Sequence, residues 1–246
     1  MLDPRVNIIA ERLSQVGTVL AVSSGKGGVG KSVCASALAL SLSKHGYRVG
    51  LLDIDFTSPS THVILGVEDV YPEEEKGVIP PQVHGLKYMS ITYYSGDYPT
   101  PLRGIDVSNV FIEILAVTQW GSLDFLVLDL PPGIGDLTLD TIRLIDRVKF
   151  LIITTPSKIA FETVRKLILL LQEQHVSILG VIENMKMRES RFIREQVERH
   201  NLTFLGEIAF DSSLEASVGA VDKLLQTKFM KTVDEILTEN PAICNS

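Results

Sequence analysis

The chain has 246 residues but only two cysteines, Cys34 and Cys244, and one tryptophan. Two thiols so far apart make no disulfide framework, and their scarcity suits a reducing cytoplasm. Long hydrophobic runs are also missing, which argues against a bilayer-spanning helix and a stable membrane association. The first residues lack the charged-then-apolar layout of a secretory signal. Lys and Arg form no block: 23 basic residues stand against 30 acidic ones, for a net charge of −7. That balance gives no support to a nucleic-acid or anionic-membrane partner. The five histidines show no metal-ligand spacing, and there are no internal repeats or low-complexity linkers. What remains is a globular composition, 45% apolar and 22% charged. A chain of this length buries roughly 70–75% of its unfolded surface.

The segment Ser24 to Ser32 reads SGKGGVGKS. From Gly25 to Ser32 it fits G-x-x-x-x-G-K-[ST], the spacing of a phosphate-binding loop. Successive glycines let backbone N–H groups turn inward around a phosphate, and the helix that follows adds its positive end. Residues 18–23 read as a buried strand before the loop, and Ser32 to Lys44 as a helix after it. Gly25, Lys26, Gly27, Gly28, Val29, Gly30, Lys31, Ser32 and Val33 are therefore the expected nucleotide contacts. Lys31 reaches the β- and γ-phosphates, and Ser32 ligates Mg²⁺.

Apolar, β-branched runs alternate with helix-length amphipathic segments along the rest of the chain. Strands are expected at 18–23, 48–52, 86–91, 124–129, 149–154, 177–183 and 203–208. Helices are expected at 31–45, 106–119, 136–146, 158–174, 189–200 and 223–238. This alternation predicts one α/β domain with a doubly wound, mostly parallel sheet. Residues 1–17 form an N-terminal arm or helix outside the sheet, residues 18–246 the domain itself, and 67–81 an exposed loop. Cys34 reads as a small core side chain, and Cys244 as part of a flexible tail. In the last helix, Leu225, Phe229, Val233 and Ile236 form a core-docking stripe. Arg188 to Glu195 reads as a solvated, mixed-charge helix face.

Ligands in such sheets sit at the carboxyl ends of the strands, and acids cluster there. Asp53 and Asp55 end the second strand. Asp53 is expected near the Mg²⁺ shell, and Asp55 where it orients an attacking water. Asp129 ends an all-apolar strand before Leu130-Pro131-Pro132-Gly133 and is expected to hold Mg²⁺ through water. The Pro-Pro-Gly turn suits a segment that senses the γ-phosphate. Asn184 ends a further strand with an amide able to read adenine; the guanine-reading Asn-Lys-x-Asp is absent, which favours ATP over GTP.

These blocks resemble the deviant Walker A ATPases of the MinD/ParA/ArsA class, whose signature lysine corresponds to Lys26. Within that class the chain is similar to the Mrp family of ATP-dependent iron–sulfur cluster carriers. The likeness is carried by Val22 to Ser32, by Val49 to Asp55 continuing through Ser58-Pro59-Ser60 to Leu65-Gly66, and by Trp120 to Asp136. Arg103-Gly104 and Glu183-Asn184-Met185 also look like family positions. The resemblance implies a SIMIBI-type, MinD-like P-loop fold and a homodimer that sandwiches two ATP molecules. Lys26 of each subunit then crosses to the other's γ-phosphate, joining Lys31 and Asp55 as a catalytic residue. It further implies slow ATP hydrolysis in metallocofactor assembly, with an iron–sulfur scaffold or client as partner. A MinD/ParA-like positioning switch is the alternative.

Three positions depart from the family pattern. Val33 stands where a threonine is usual, and Ser58 where a glycine is. The carriers' Cys-x-x-Cys is missing: Lys186 to Phe192 reads KMRESRF. Clusters are held by thiolates, so an iron–sulfur cluster bound in the family's usual manner is not expected. Anaerobic reconstitution with iron and sulfide should leave the chain without a stoichiometric visible chromophore. A stable cluster in this chain alone would overturn that reading of 186–192.

Overall fold

A computed structural model of the chain describes residues 3–95 and 105–244. Arg103 and Gly104 lie outside the described residues. In chain order the strands are β1 (Val16–Ser24), β2 (Val49–Asp53), β3 (Glu73–Glu74), β4 (Val78–Ile79), β5 (Gln82–Val83), β6 (Leu86–Ser90), β7 (Leu123–Asp129), β8 (Lys149–Thr154), β9 (Ser177–Lys186) and β10 (Phe204–Ala209). The α-helices are α1 (Arg5–Leu13), α2 (Lys31–Lys44), α3 (Thr61–Leu65), α4 (Thr92–Ser95), α5 (Ile105–Val117), α6 (Asp136–Leu144), α7 (Lys158–Glu173), α8 (Phe192–Arg199), α9 (Val221–Leu224) and α10 (Lys228–Glu239).

Eight strands make one sheet in the order β10-β9-β8-β1-β7-β2-β6-β5. Every pairing is parallel except β5 with β6 at one edge. Apolar strands such as β7 and β8 are buried nearly throughout because helices cover both faces. One face packs α2, α3, α9 and α10 around Leu38, Leu42, Phe229 and Met230. The other packs α1, α5, α6, α7 and α8 around Phe111, Leu128, Phe150 and Leu167. The central strand β1 has β7 on one side and β8 on the other, so the chain reverses winding there and opens a crevice beyond β1. Register brings Val22 of β1 and Asp53 of β2 opposite Asp129 of β7, so β2 and β7 end level while β1 runs two residues further, to Ser24.

The expected strands and helices are found, with five differences. Strand β1 starts at Val16, and the helix before it is not loose: α1 packs on α5 and Ile9 is fully buried. The loop 67–81 contains the hairpin β3–β4. The helix expected at 223–238 is two, because Thr227 is extended and its hydroxyl caps α10 at Met230 N, 3.1 Å away. Phe229, Val233 and Ile236 dock as expected, but Leu225 falls before the cap and is exposed. Helix α8 starts only at Phe192, leaving Arg188 to Arg191 outside it. Cys34 is a buried core residue whose thiol is pushed up to about 12 by burial. Cys244 is not on a free tail; it packs on the α10 face of the core beside Tyr47. No helix among the described residues is long and apolar enough to cross a membrane.

Burial of Ile9 makes α1 part of the folded unit. Ile9→Ala should lower unfolding free energy by about 2–5 kcal/mol, read as a shifted urea midpoint. An unchanged midpoint would show that α1 frays without cost.

Candidate functional site: a phosphate cradle at the end of the central strand

The loop from Ser24 to Gly30 is shaped by close packing on three sides. Ser24 Oγ donates to the Lys26 carbonyl oxygen at 3.0 Å. A Cβ at Gly25 would stand 2.4 Å from Thr163 Oγ1 and 2.6 Å from Val164 N, so only glycine fits against α7. Gly30 has φ 80°, and a Cβ there would stand 2.4 Å from Asn184 Nδ2. On the third side, Gly133 N donates to the Ser24 carbonyl at 2.7 Å, tying the Pro-Pro-Gly turn to the end of β1. The loop therefore leads into α2 in one fixed shape, with that helix's N-terminus facing the crevice.

Lys31 opens α2 and is buried, with 6% exposure. Its Nζ lies 2.6 Å from Asp129 Oδ1 and 3.9 Å from Asp55 Oδ2, and donates to Ser32 Oγ at 3.2 Å. Asp129 Oδ2 is buried with no hydrogen-bond partner among the described residues. Burial pushes the Asp129 carboxyl up to about 7; the Lys31 ammonium opposes that rise and the Asp53 charge adds to it. A free carboxylate oxygen beside a serine hydroxyl is a hard oxygen donor set, which fits Mg²⁺.

Asp53, expected near the Mg²⁺ shell, accepts four hydrogen bonds from the segment that follows it. Its Oδ1 accepts from Asp55 N at 3.1 Å. Its Oδ2 accepts from Ser60 N at 3.1 Å, Thr61 N at 3.0 Å and Thr61 Oγ1 at 2.7 Å. Asp53 is thus the anchor of the turn before α3. Asp55 Oδ1 is similarly held by Thr57 N, Thr57 Oγ1 and Ser58 N, while Oδ2 faces Lys31. Asn184 is buried inside β9, not beyond its end, and donates through Nδ2 to the Val29 carbonyl at 2.9 Å. It braces the loop from below. Lys26 is exposed on the rim, and Val33 is half-buried against the α2 face.

Lys26, Lys31, Asp55 and Val63 border a cleft of about 480 Å³ above the loop, closed on its far side by Glu215 and Val218. Sequence reasoning missed Thr57, Thr61, Thr163 and Glu215. Thr57 was legible as a hydroxyl residue two positions after Asp55, the spacing of a side chain-to-backbone turn, whereas Thr61, eight positions after Asp53, was not. Thr163 and Glu215 come close only through the fold, and no local signal marks them.

Residues 15–240 match the ParA family, described as NUBPL iron-transfer P-loop NTPases. The chain belongs to this family. It is 42% identical over 171 residues to the iron-sulfur cluster carrier protein of Aquifex aeolicus, covering 68% of this chain and 47% of that one. Against the carrier protein of Pseudomonas fragi it is 39% identical over 177 residues, covering 70% and 62%. The chain thus spans about half to three-fifths of the length of these relatives. A solved nucleotide-binding protein of Archaeoglobus fulgidus, in complex with ADP, superposes with TM-score 0.76 at 29% identity, covering 92% of this chain and 95% of that one. The cell division ATPase MinD of Pyrococcus furiosus has the same fold, with TM-score 0.64 at 20% identity.

This member of the family carries its phosphate-binding loop and two strand-end acids at the end of a mostly parallel sheet. No group of three or more His, Cys, Asp or Glu among its described residues is arranged to hold a metal by protein side chains alone. The raised Asp129 carboxyl has a consequence for the nucleotide- and metal-free protein. Its folded pKa of about 7 lies above the ordinary carboxylate value of 3.8. Its stability contribution is therefore fully present below that ordinary value and is lost as pH rises toward 7. Asp129→Asn should remove that component. Plotted from pH 4 to 7, the stability difference, wild type minus variant, should fall. A difference that stays flat or rises would contradict the burial effect.

Proposed function

We propose that this chain binds and hydrolyses Mg-ATP as a homodimer and that its nucleotide cycle serves iron–sulfur protein assembly. The observation that carries the reading is Lys31, a buried ammonium held between Asp129 and Asp55 under a phosphate-loop backbone. Family membership and the ADP-bound Archaeoglobus structure support nucleotide binding. In this reading Gly25 to Val33 wrap the phosphates, and Lys31 exchanges its carboxylate partners for phosphate oxygens. Asn184 keeps its carbonyl oxygen and second amide proton for adenine. Ser32 and Asp129 hold Mg²⁺, which neutralises phosphate charge when bound. Asp55, already close to Lys31, accepts a hydrogen bond from the attacking water. Attack on the γ-phosphorus breaks its bond to the bridging oxygen and leaves ADP and phosphate.

Lys26 is given the role of crossing to the partner's nucleotide, because it is exposed on the rim while Lys31 is buried. The ATPase domain, expected over 18–246 with 1–17 as an arm, is taken to include α1 and the start of β1, which pack into it, and to act in the cytoplasm. Both cysteines are free thiols, which suits that compartment. The curated relatives are named cluster carriers, but 186–192 offers no thiolate. We therefore assign the cluster, as cargo, to a partner protein that this ATPase engages. The missing cysteines also favour a second reading, a MinD/ParA-like switch. ATP-dependent pelleting with liposomes or DNA would favour that switch.

Lys26→Ala should bind nucleotide normally yet lose most of its turnover, since a cation supplied in trans is worth ~10³–10⁵ in rate. Lys31→Ala should lose both binding and turnover. Asp55→Ala should accumulate as an ATP-bound dimer and capture iron–sulfur proteins from anaerobic extract. Normal turnover by Lys26→Ala would remove the trans role. Capture of no such proteins by a well-formed Asp55→Ala dimer would remove the assembly role alone.

A further inference from the structure

Behind the turn that Asp53 anchors, on the side away from the phosphate loop, lies a second cavity of about 280 Å³. That is smaller than the roughly 300–1,000 Å³ of pockets for drug-sized ligands, and suits one side-chain head group. Its walls are aromatic. Tyr93 stands between Tyr71 and Tyr88, with ring centroids 6.3 Å and 6.0 Å away. Asp69, His62 and Thr92 add polar groups, and Val67 and Val70 complete the lining. Two polar atoms of lining residues, His62 Nδ1 and Tyr93 OH, are buried with no hydrogen-bond partner among the described residues.

The surroundings are acidic. Residues 67–81 hold Glu68, Asp69, Glu73, Glu74 and Glu75 against a single basic residue, Lys76. Glu74 is near enough to contribute to raising the Tyr94 hydroxyl above its ordinary value, after burial. The two reachable rings, Tyr71 and Tyr93, with the exposed Asp69 carboxylate beside them, suit a planar cation with several N–H donors. Aromatic faces attract such a cation within about 6 Å, and a guanidinium stacks on them better than a compact ammonium does.

We propose that the pocket formed by His62, Asp69, Tyr71, Tyr88 and Tyr93 receives an arginine side chain presented by a partner protein. Its floor communicates with the phosphate cleft. Tyr88 is fully buried, and its hydroxyl lies 2.9 Å from Thr61 Oγ1, which donates to Asp53 Oδ2 at 2.7 Å. Tyr88 is therefore the donor to Thr61. A cation seated against Tyr71 and Tyr93 reaches the acid that fixes the turn carrying Asp55 through the edge-on contact of Tyr93 with the buried Tyr88 ring and two hydrogen bonds beyond it. That link to turnover rests on the proposed ATPase function; the pocket itself does not.

The test uses the full chain with ¹³C-labelled tyrosine rings and N-acetyl-arginine amide as probe. Tyr71 and Tyr93 ring signals should shift saturably, and the Thr61 amide should follow. The neutral, near-isosteric N-acetyl-citrulline amide should bind about five- to tenfold more weakly, the loss expected for one cation–π and ion-pair contribution. Tyr71→Ala and Asp69→Asn should each weaken the arginine probe by at least about threefold. Both side chains are exposed, Tyr71 at 71%, so these variants keep the fold. The pocket assignment would be overturned by the absence of a saturable shift, by equal response to both amides, or by an unaltered response in Tyr71→Ala. Tighter binding of free zwitterionic arginine than of the capped amide would overturn presentation by a protein.

Discussion

A buried ammonium, Lys31, holds the site together. It opens helix α2 at the end of the central strand, where water is excluded and a bare charge would be prohibitive. Two carboxylates make it tolerable, Asp129 at 2.6 Å and Asp55 at 3.9 Å. Neither is placed by chance. Parallel register sets Asp129 level with Asp53, and Asp55 follows two residues later on the same turn. Removing one member of such a set leaves an uncompensated charge, which costs more than the pair contributes. In the proposed cycle, triphosphate oxygens replace the carboxylates around Lys31 and leave Asp129 to face a cation. On that proposal the nucleotide-free protein keeps Lys31 in a pairing that phosphate is suited to displace.

Much of this is legible in the order of the residues alone. The GKGGVGKS spacing marks the loop, and the all-apolar runs at 125–128 and 150–153 mark a parallel sheet covered on both faces. Strand-end aspartates follow from that sheet, because ligands gather at carboxyl ends. What the sequence hides is mostly three-dimensional. The sequence marks Asp53 and Asp55 as strand-end acids; only the fold shows that Asp53 spends both oxygens on backbone and hydroxyl donors, at 55, 60 and 61. Asn184 reads as a strand-end amide, yet β9 runs on to Lys186 and turns that amide under Val29. The break before α10 is visible as Thr227, a capping residue, but apolar spacing across it masks the stop.

The two turn segments differ in how they are tied. The Pro-Pro-Gly segment is joined to the end of β1 by a main-chain bond from Gly133 to Ser24, close to the loop itself. The turn after β2 is held by Asp53 and Asp55 together, and through Thr61 it reaches Tyr88 on the next strand of the sheet. One segment lies against the phosphate-binding loop. The other connects that region to an aromatic, acidic pocket on a different surface. A protein that must couple a nucleotide to a partner needs both kinds of connection, and the chain's missing cysteines make a partner the natural holder of any cluster.

The most direct check is a crystal structure with Mg²⁺ and a non-hydrolysable ATP analogue. The analogue's β- and γ-phosphates should lie within the 25–32 backbone, with Lys31 Nζ turned from Asp129 to phosphate oxygens. A nucleotide bound elsewhere, or a Lys31–Asp129 contact still at its nucleotide-free length, would contradict the displacement on which the proposed cycle depends.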